Sequence, residues 1–485
     1  MRTILFLFLT VISLSACRQT TAPDAIQLRF NDDGVFKIAQ FTDLHFVDGS
    51  PNSATTQATI RYVLEIEKPD VAILTGDQAI DVPSANIWPA IARIFEEAQT
   101  PFAVVFGNHD AETITKDSAF LLLERSPFFI GEKGPETIYG TGNYVLEVRN
   151  RTSNQTAALL YCFDSNDYPQ NSKLSYYDWI HYDQIEWYRQ QSEKYTQANN
   201  NEPLPALAFF HIPLHEYEQI AASETFVGTK GEGIAPGKIN PGMFASFIEM
   251  RDVQGVFVGH DHNNDYIGIT SGIALAFGRV GGADAYGYLE RGARIIELHE
   301  DNPRFFSTWI RVPSGVEHCY YYPSGLTDDQ EKNSIYLPAQ SVNPTKNGVA
   351  YNYYEGKFRS VDEITSTQVL QTGTLKNFSI REAATEDGFA YEFHTWIKIP
   401  QKGLYNFHIF SDDGAKLYVD GQPAVDNDGS HSEESASGTL ALDEGFHDLR
   451  LLYFDDYMGQ VLEVGLSSKY IVETLIPDEL LYLPE

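Results

Sequence analysis

Over the first two thirds of the chain, apolar and polar positions follow two alternating patterns. Val35–Phe41 is a short apolar run that stops just before Asp43, and Thr55–Lys68 then carries its apolar residues at helical spacing. Val71–Leu74 stops at Gly76-Asp77, Ile87–Ala98 returns to helical spacing, and Phe102–Phe106 stops at Gly107. Each strand-plus-helix stretch takes about 30 residues, the length of a βαβ unit. Ala158–Phe163, Leu207–Phe210 and Gly255–Val258 are further runs that end in polar clusters, and Tyr177–Tyr195 reads as a helix. The pattern predicts an α/β domain over residues 33–312 whose sheet is mostly parallel.

The pattern changes at Pro313. Residues 313–347 are rich in Pro, Ser, Asn and Asp, with scattered Tyr, and read as a connecting arm. Beyond it the period is two: Tyr391, Phe393, Ile397 and Ile399 alternate with Glu392, His394 and Lys398, and Tyr405, Phe407 and Ile409 with Asn406 and His408. Leu449, Leu451 and Tyr453 repeat the pattern, and Asp413-Gly414, Asp420-Gly421 and Asp428-Gly429 supply turns. Short alternating strands with Asp-Gly turns predict an antiparallel β-sandwich over residues 348–485.

The length of 485 residues agrees with two or more domains. The formal charge of -33 argues against nucleic acid or an anionic lipid surface as partner, since no phosphate-neutralising excess exists. At the N-terminus, Met1-Arg2 precedes an apolar run, Ile4 to Leu14, too short to span a bilayer, and Leu14-Ser15-Ala16-Cys17 follows. This is the pattern of a secretory signal. Its cysteine after two small residues resembles the lipobox of bacterial lipoproteins. That resemblance implies cleavage before Cys17, acylation of its thiol and a tether over 18–32. The chain would then be exported and anchored to the cell envelope, periplasmic or at the surface, with the lipid as its membrane contact. Cys162 and Cys319 remain, and their separation leaves pairing open.

The polar clusters at the strand ends carry the chemistry. They are Asp43-Leu44-His45, Gly76-Asp77, Gly107-Asn108-His109-Asp110, His211 and Gly259-His260-Asp261-His262. In a mostly parallel sheet the strand carboxyl ends gather on one edge, where such folds place ligands. Four His, two Asp and one Asn from among these residues make a nitrogen–oxygen set that suits Zn, Fe or Mn better than Ca. A single His after an apolar run is more often a core or capping residue, and Gly-Asn alone is a common turn. The five clusters in this order resemble the calcineurin-like metallophosphoesterase family, with its D-x-H, G-D, G-N-H-D/E, H and G-H-x-H motifs.

The resemblance covers roughly residues 33–312 and implies a four-layer α/β/β/α sandwich and a two-metal site. Asp43, His45 and His262 would bind one ion, Asn108, His211 and His260 the other, and Asp77 would bridge both. A water shared by the ions would become the attacking hydroxide, His109 would serve the leaving oxygen, and Asp110 would hold the His109 ring. Purple acid phosphatases carry Tyr three residues after the bridging Asp; Ile80 stands there, so a colourless protein is expected. Segments such as "YDQIEWYRQQSE", "FFHIPLHEY" and "FVGHDHNNDY" look like a branch that contains purple acid phosphatase relatives. Phosphomonoester hydrolysis is the leading expectation. The alternatives are a phosphodiesterase on nucleotide, phospholipid or glycan diesters, and a non-catalytic surface glycan-binding lipoprotein.

Asn263, Asn264 and Asp265 are expected to touch substrate or, in preference, to cap the turn, His215 either to line the pocket or to lie on the surface, and Tyr168, Tyr176 and Tyr177 to shape the rim or simply pack. Arg279 is a candidate to grip phosphate. In the second domain, "YNFHIFSDDGAKLYVDGQPAVDN" and "GFHDLRLLYFDD" resemble the β-sandwich first described in protective antigen, over about residues 348–470. In carbohydrate-binding members, a pair equivalent to Asp412-Asp413 holds Ca²⁺ against sugar hydroxyls. In others the aspartates only make turn bonds. Both readings stay open, and so does a glycan or other cell-surface partner.

Overall fold

The computed structural model describes residues 26–80, 84–223, 226–469 and 471–484. The signal segment 1–17 with Cys17, and residues 18–25 of the tether, lie outside the described residues.

Two mixed sheets face each other in the first domain. One contains β2 (Val35–Phe41), β3 (Val71–Thr75), β4 (Phe102–Val105), β11 (Ala293–His299), β12 (Phe306–Val312) and β13 (Gly315–Tyr322). The other contains β1 (Leu28–Arg29), β5 (Tyr144–Arg149), β6 (Thr156–Cys162), β7 (Ala206–Phe209), β8 (Val253–Val258), β9 (Ile267–Thr270) and β10 (Ile273–Phe277). Their orders are β13-β12-β11-β2-β3-β4 and β1-β5-β6-β7-β8-β10-β9. The strands β2-β3-β4 and β6-β7-β8-β10 run parallel. β3 and β4 are buried at every residue, as "VAILT" and "FAVV" foretell for strands covered on both faces.

Helices α1 (Asn52–Glu67), α2 (Ile87–Ala98) and α3 (Lys116–Leu123) belong to the first sheet's layer, and α4 (Tyr182–Ala198), α5 (Tyr217–Ser223) and α6 (Met243–Met250) cover the second. Side-chain alternation builds the layers. Leu207, Phe209 and Phe257 point into the inter-sheet core, while Ala206, Ala208 and Val256 meet the α4–α6 layer. The Phe257 and Phe306 rings touch across the sheets at 5.8 Å between centroids. The expected four-layer α/β/β/α sandwich is therefore what forms. Helix α4 begins five residues later than its apolar spacing suggested. Gln184 accepts the His181 N–H at 2.8 Å and starts the helix there, which leaves 177–180 as loop.

The stretch expected to be a connecting arm, 313–347, holds more structure than that. Gly315–Tyr322 pairs antiparallel with β12 as an edge strand and buries Tyr320 and Tyr322. Its period-two signal was hidden by the flanking Pro313 and Pro323. After α7 (Asp328–Asn333), the arm joins the second domain through Leu337 N–H to Ala441 O and Gln340 N–H to Phe446 O.

The second domain is the expected antiparallel sandwich. One sheet orders β15 (Gln371–Leu375), β14 (Val349–Glu355), β16 (Phe389–Ile399), β21 (Gly445–Asp455), β18 (Ala415–Val419) and β19 (Gln422–Asn427). The other orders β20 (Glu434–Leu442), β17 (Gly403–Asp412), β22 (Val461–Ser468) and β23 (Ile471–Leu475). Tyr391, Phe393, Ile397, Tyr405, Phe407, Ile409, Leu449, Leu451 and Tyr453 all enter one core, as the alternation predicts. The three Asp-Gly pairs fall at the β17–β18, β18–β19 and β19–β20 turns.

Candidate metal centre

The loops that leave β2, β3, β4, β7 and β8 meet where the carboxyl ends of both sheets adjoin. They bring together the seven residues singled out in the sequence, each at most 7% exposed. Asp43, His45 and His262 form one cluster of potential ligand atoms, and Asp77, His211 and His260 a second, the atoms of each lying within 4.8 Å of one another. His262 Nε2 is 3.2 Å from Asp43 Oδ1, and His211 Nε2 is 3.1 Å from Asp77 Oδ2. His45 Nε2 lies 3.8 Å from Asp77 Oδ2 and 4.0 Å from Asp43 Oδ1, so it links the clusters. Asn108 is 2% exposed and faces the tyrosine side of the mouth.

The backbone is bent to make this possible. Asp43, His45, Asp77 and His260 all sit at positive φ, between 44° and 81°. Non-glycine residues rarely adopt that region, and strain of this kind collects at functional sites. Gly107 is required by close approach: a Cβ there would meet Asp77 Oδ1 at 2.2 Å. The sequence places the metal-facing atoms by fixing the others. His211 Nδ1 donates to the Thr75 carbonyl at 2.9 Å and His262 Nδ1 to the Tyr286 carbonyl at 3.2 Å, which turns each Nε2 inward. Asp43 Oδ2 accepts from the Thr42 hydroxyl and the His260 N–H.

The electrostatics are those of a cation seat. Burial alone would raise Asp43, but His262 and His211 hold its carboxyl down at about 2, and Asp77 is held well below its usual range by His211 and His45. Burial would lower His211, yet Asp77 and Asp43 push it up to about 10. Burial and the His211 charge press His260 down to about 3. Two buried atoms, His45 Nε2 and Asn108 Oδ1, make no hydrogen bond. Orphaned polar atoms at such depth are costly, and both would be satisfied by an ion. The set of imidazole nitrogens, carboxylate oxygens and one amide oxygen fits Zn, Fe or Mn.

His109 projects into the same space, its Nε2 4.0 Å from Asp77 Oδ2. The expectation for Asp110 needs correction. Asp110 does not hold the His109 ring; its carboxylate accepts N–H bonds from Gly107, Asp77, Gln78 and Ala79 and so clamps the β3 and β4 loops together. Burial and the Asp77 charge push Asp110 up to about 7 against those donors. The ring partner is Glu112, whose Oε1 lies 2.6 Å from His109 Nδ1. Its sequence signal was an acid three residues past the histidine, overshadowed by the adjacent Asp110.

Asn263, Asn264 and Asp265 do not cap their own turn but tether distant loops, accepting from the amides of Tyr288, of Gly231 and Glu232, and of Thr229. Arg279 is not free to grip phosphate. It is buried, and its guanidinium is spent on Asp265, Glu317 and the Glu290 carbonyl. His215 lines a small recess with Asp178, Ile212 and Met243 that none of the seven residues enters. Tyr168 and Tyr177 do reach the centre: Tyr168 Oη accepts from Asn108 Nδ2 at 3.1 Å, and the Tyr177 and His260 rings meet edge-on at 4.3 Å. Sequence reasoning missed Tyr286, which stacks on His262 at 3.9 Å; "DAYGYLERG" carries no motif that marks it. In the sandwich, Asp413 makes no local turn bond but ties two distant loops, accepting from the His431 and Asp456 amides, and neither Asp412 nor Asp413 belongs to a three-residue ligand cluster among the described residues.

The sequence profile of the calcineurin-like phosphoesterases matches residues 36–264, and that of the PA14 domain residues 345–479. "Probable inactive purple acid phosphatase 29" of Arabidopsis thaliana is 31% identical over 57% of this chain and 80% of its own. "Phosphatase DCR2" of Saccharomyces cerevisiae is 30% identical over 62% of this chain and 58% of its own. Among solved structures, a dimetal phosphatase from Danio rerio is similar at 12% identity and a TM-score of 0.43, over 60% of this chain and 99% of that one.

Proposed function

Because the chain belongs to the calcineurin-like phosphoesterase family, we propose that its buried centre hydrolyses phosphomonoesters, and does so in an exported protein anchored through Cys17. One observation carries the reading. All seven motif positions carry a ligating residue, six of them gather into two clusters, and His45 Nε2 and Asn108 Oδ1 stay unsatisfied without an ion.

Asp43, His45 and His262 would hold one ion and Asn108, His211 and His260 the other, with Asp77 shared. When bound, such a pair neutralises the phosphoryl oxygens as a Lewis acid and acidifies water. The chain's own residues do the rest. Gly107 and Asp110 set the loops so that Asp77 lies between both clusters. Glu112 fixes the His109 ring through Nδ1, which leaves Nε2 toward the centre to protonate the departing alkoxide. Burial opposes that proton, but Asp77 and Glu112 outweigh it and raise the pKa of the ring. Depth keeps the ligands dry and strengthens each of these interactions.

The names of the Arabidopsis relatives favour a second reading, a phosphoesterase fold without turnover. The filled ligand set of this chain speaks for catalysis. The sandwich is assigned to docking on a surface glycan or protein, since the loop that Asp413 holds displays Tyr457 at 67% exposure. The test compares phenyl phosphate with diphenyl phosphate on the metal-loaded chain. The monoester is expected to lead by about tenfold or more in kcat/KM. A preference for the diester reverses the assignment, and no turnover of either supports the second reading.

A further inference from the structure

We propose that the alcohol part of the substrate is an uncharged ring, aryl or glycosyl, held by tyrosines that surround the centre; this deepens the phosphomonoesterase reading and rests on it. On one side Tyr168 touches Asn108, Tyr177 meets His260, and Tyr176 packs edge-on to Tyr177 at 4.8 Å. On the other, Tyr286 stacks on His262. Tyr288 follows it on the same loop, beside Gly231, where a Cβ would strike its hydroxyl.

Packing does not account for these rings. Tyr161 and Tyr188, in the core of the same domain, are 0% exposed, whereas Tyr168, Tyr176, Tyr286 and Tyr288 are 42%, 73%, 56% and 69% exposed. Each keeps open a face or edge of the kind that stacks on another ring. The loops bearing them are braced beforehand, which lowers the entropy lost on binding. Arg291 donates to the carbonyls of Gly282, Ala285 and Leu289, and Asn166 Nδ2 to that of Trp179. Charge selects against polyanionic alcohols. Glu232 takes the Tyr286 hydroxyl, Glu112 sits at His109, and Lys116, Arg279 and Arg291 spend their donors on protein oxygens. The net charge of -33 adds repulsion at longer range.

The test measures binding apart from turnover. Calorimetric titrations of the metal-loaded full chain would compare phenylphosphonate, a C-glucosyl phosphonate and methylphosphonate. At least one ring compound is expected to bind about tenfold more tightly than methylphosphonate, and which one does so tells aryl from glycosyl. The double variant Tyr176→Ala, Tyr288→Ala is expected to shrink that ratio to about threefold or less. Equal affinities in the wild type, or a ratio the double variant leaves untouched, overturn the proposal. Loss of phosphomonoester hydrolysis with the ratio intact would instead count against the catalytic reading alone.

Discussion

In the metal centre, Asp43 and Asp77 lie beside imidazoles, whereas in the sandwich Asp412, Asp413 and Asp455 lie beside one another. Both groups are buried, and desolvation works to raise Asp43 and Asp77 in the first and Asp412 and Asp455 in the second. At the first, His211, His262 and His45 overcome it and pull the pKa values down. At the second, His431 lowers Asp412 but does not outweigh burial and the neighbouring acids. Asp412 is raised by burial and Asp413, and Asp455 is pushed up to about 7 by burial with Asp413, Asp387 and Asp412 adding repulsion. Asp455 also keeps one buried oxygen without a partner. Burial of acids alone therefore does not make a transition-metal site. Interleaved imidazoles do, because they bring nitrogen donors and hold the acids ionised before any ion arrives.

Several substitutions break or sharpen this contrast. Asp77→Asn strikes the shared ligand and is expected to lower kcat on phenyl phosphate by about three orders of magnitude, with the fold retained by circular dichroism. A variant within tenfold of wild type would place the chemistry elsewhere. A second effect comes from pH. His211, raised to about 10, must give up its proton to an ion, so zinc affinity at the centre should climb about tenfold per pH unit between pH 6 and 8. Competition with a chromophoric chelator reads this slope, and a flat profile contradicts the imidazole account.

Glu112→Gln is expected to lower kcat about tenfold with little change in KM, since the His109 ring loses a charged partner and not the substrate a contact. An Asp110→Asn variant should instead lose stability, through the four backbone bonds it weakens. The smallest effect belongs to the sandwich. Because Asp455 has a raised folded pKa, the native state holds its proton longer than the unfolded chain, and stability falls as pH rises from about 4 to 7. Asp455→Asn should then stabilise the protein by about 1 kcal/mol at pH 8 and not at pH 4, in urea titrations at both values. Equal effects at the two pH values would remove the repulsion from the account.

The two domains were also unequally legible in the sequence. The five polar clusters could be read because four of them follow a fully buried strand and the fifth follows β2, whose last four residues are buried, so the strand end explains them. The central sandwich strands could be read because period two marks β16, β17 and β21 and Asp-Gly pairs mark the three turns from β17 to β20. Contacts made between distant loops left no local signature. Tyr286 reaches His262, and Arg279 finds Asp265 and Glu317, only through the fold. Asp110 was misread because adjacency in sequence suggested a ring contact, while the turn after Gly107 sends its carboxylate back to the β3 loop. Strand β13 was missed because prolines at both ends imitate a linker.

The central claim is that these seven side chains seat a pair of ions. Elemental analysis of the purified, metal-loaded chain tests it most directly. About two first-row transition ions per chain are expected in the wild type, with the occupancy clearly reduced in Asp77→Asn. A wild-type chain that retains no such ion after loading, or an Asp77→Asn chain that retains both, would contradict it.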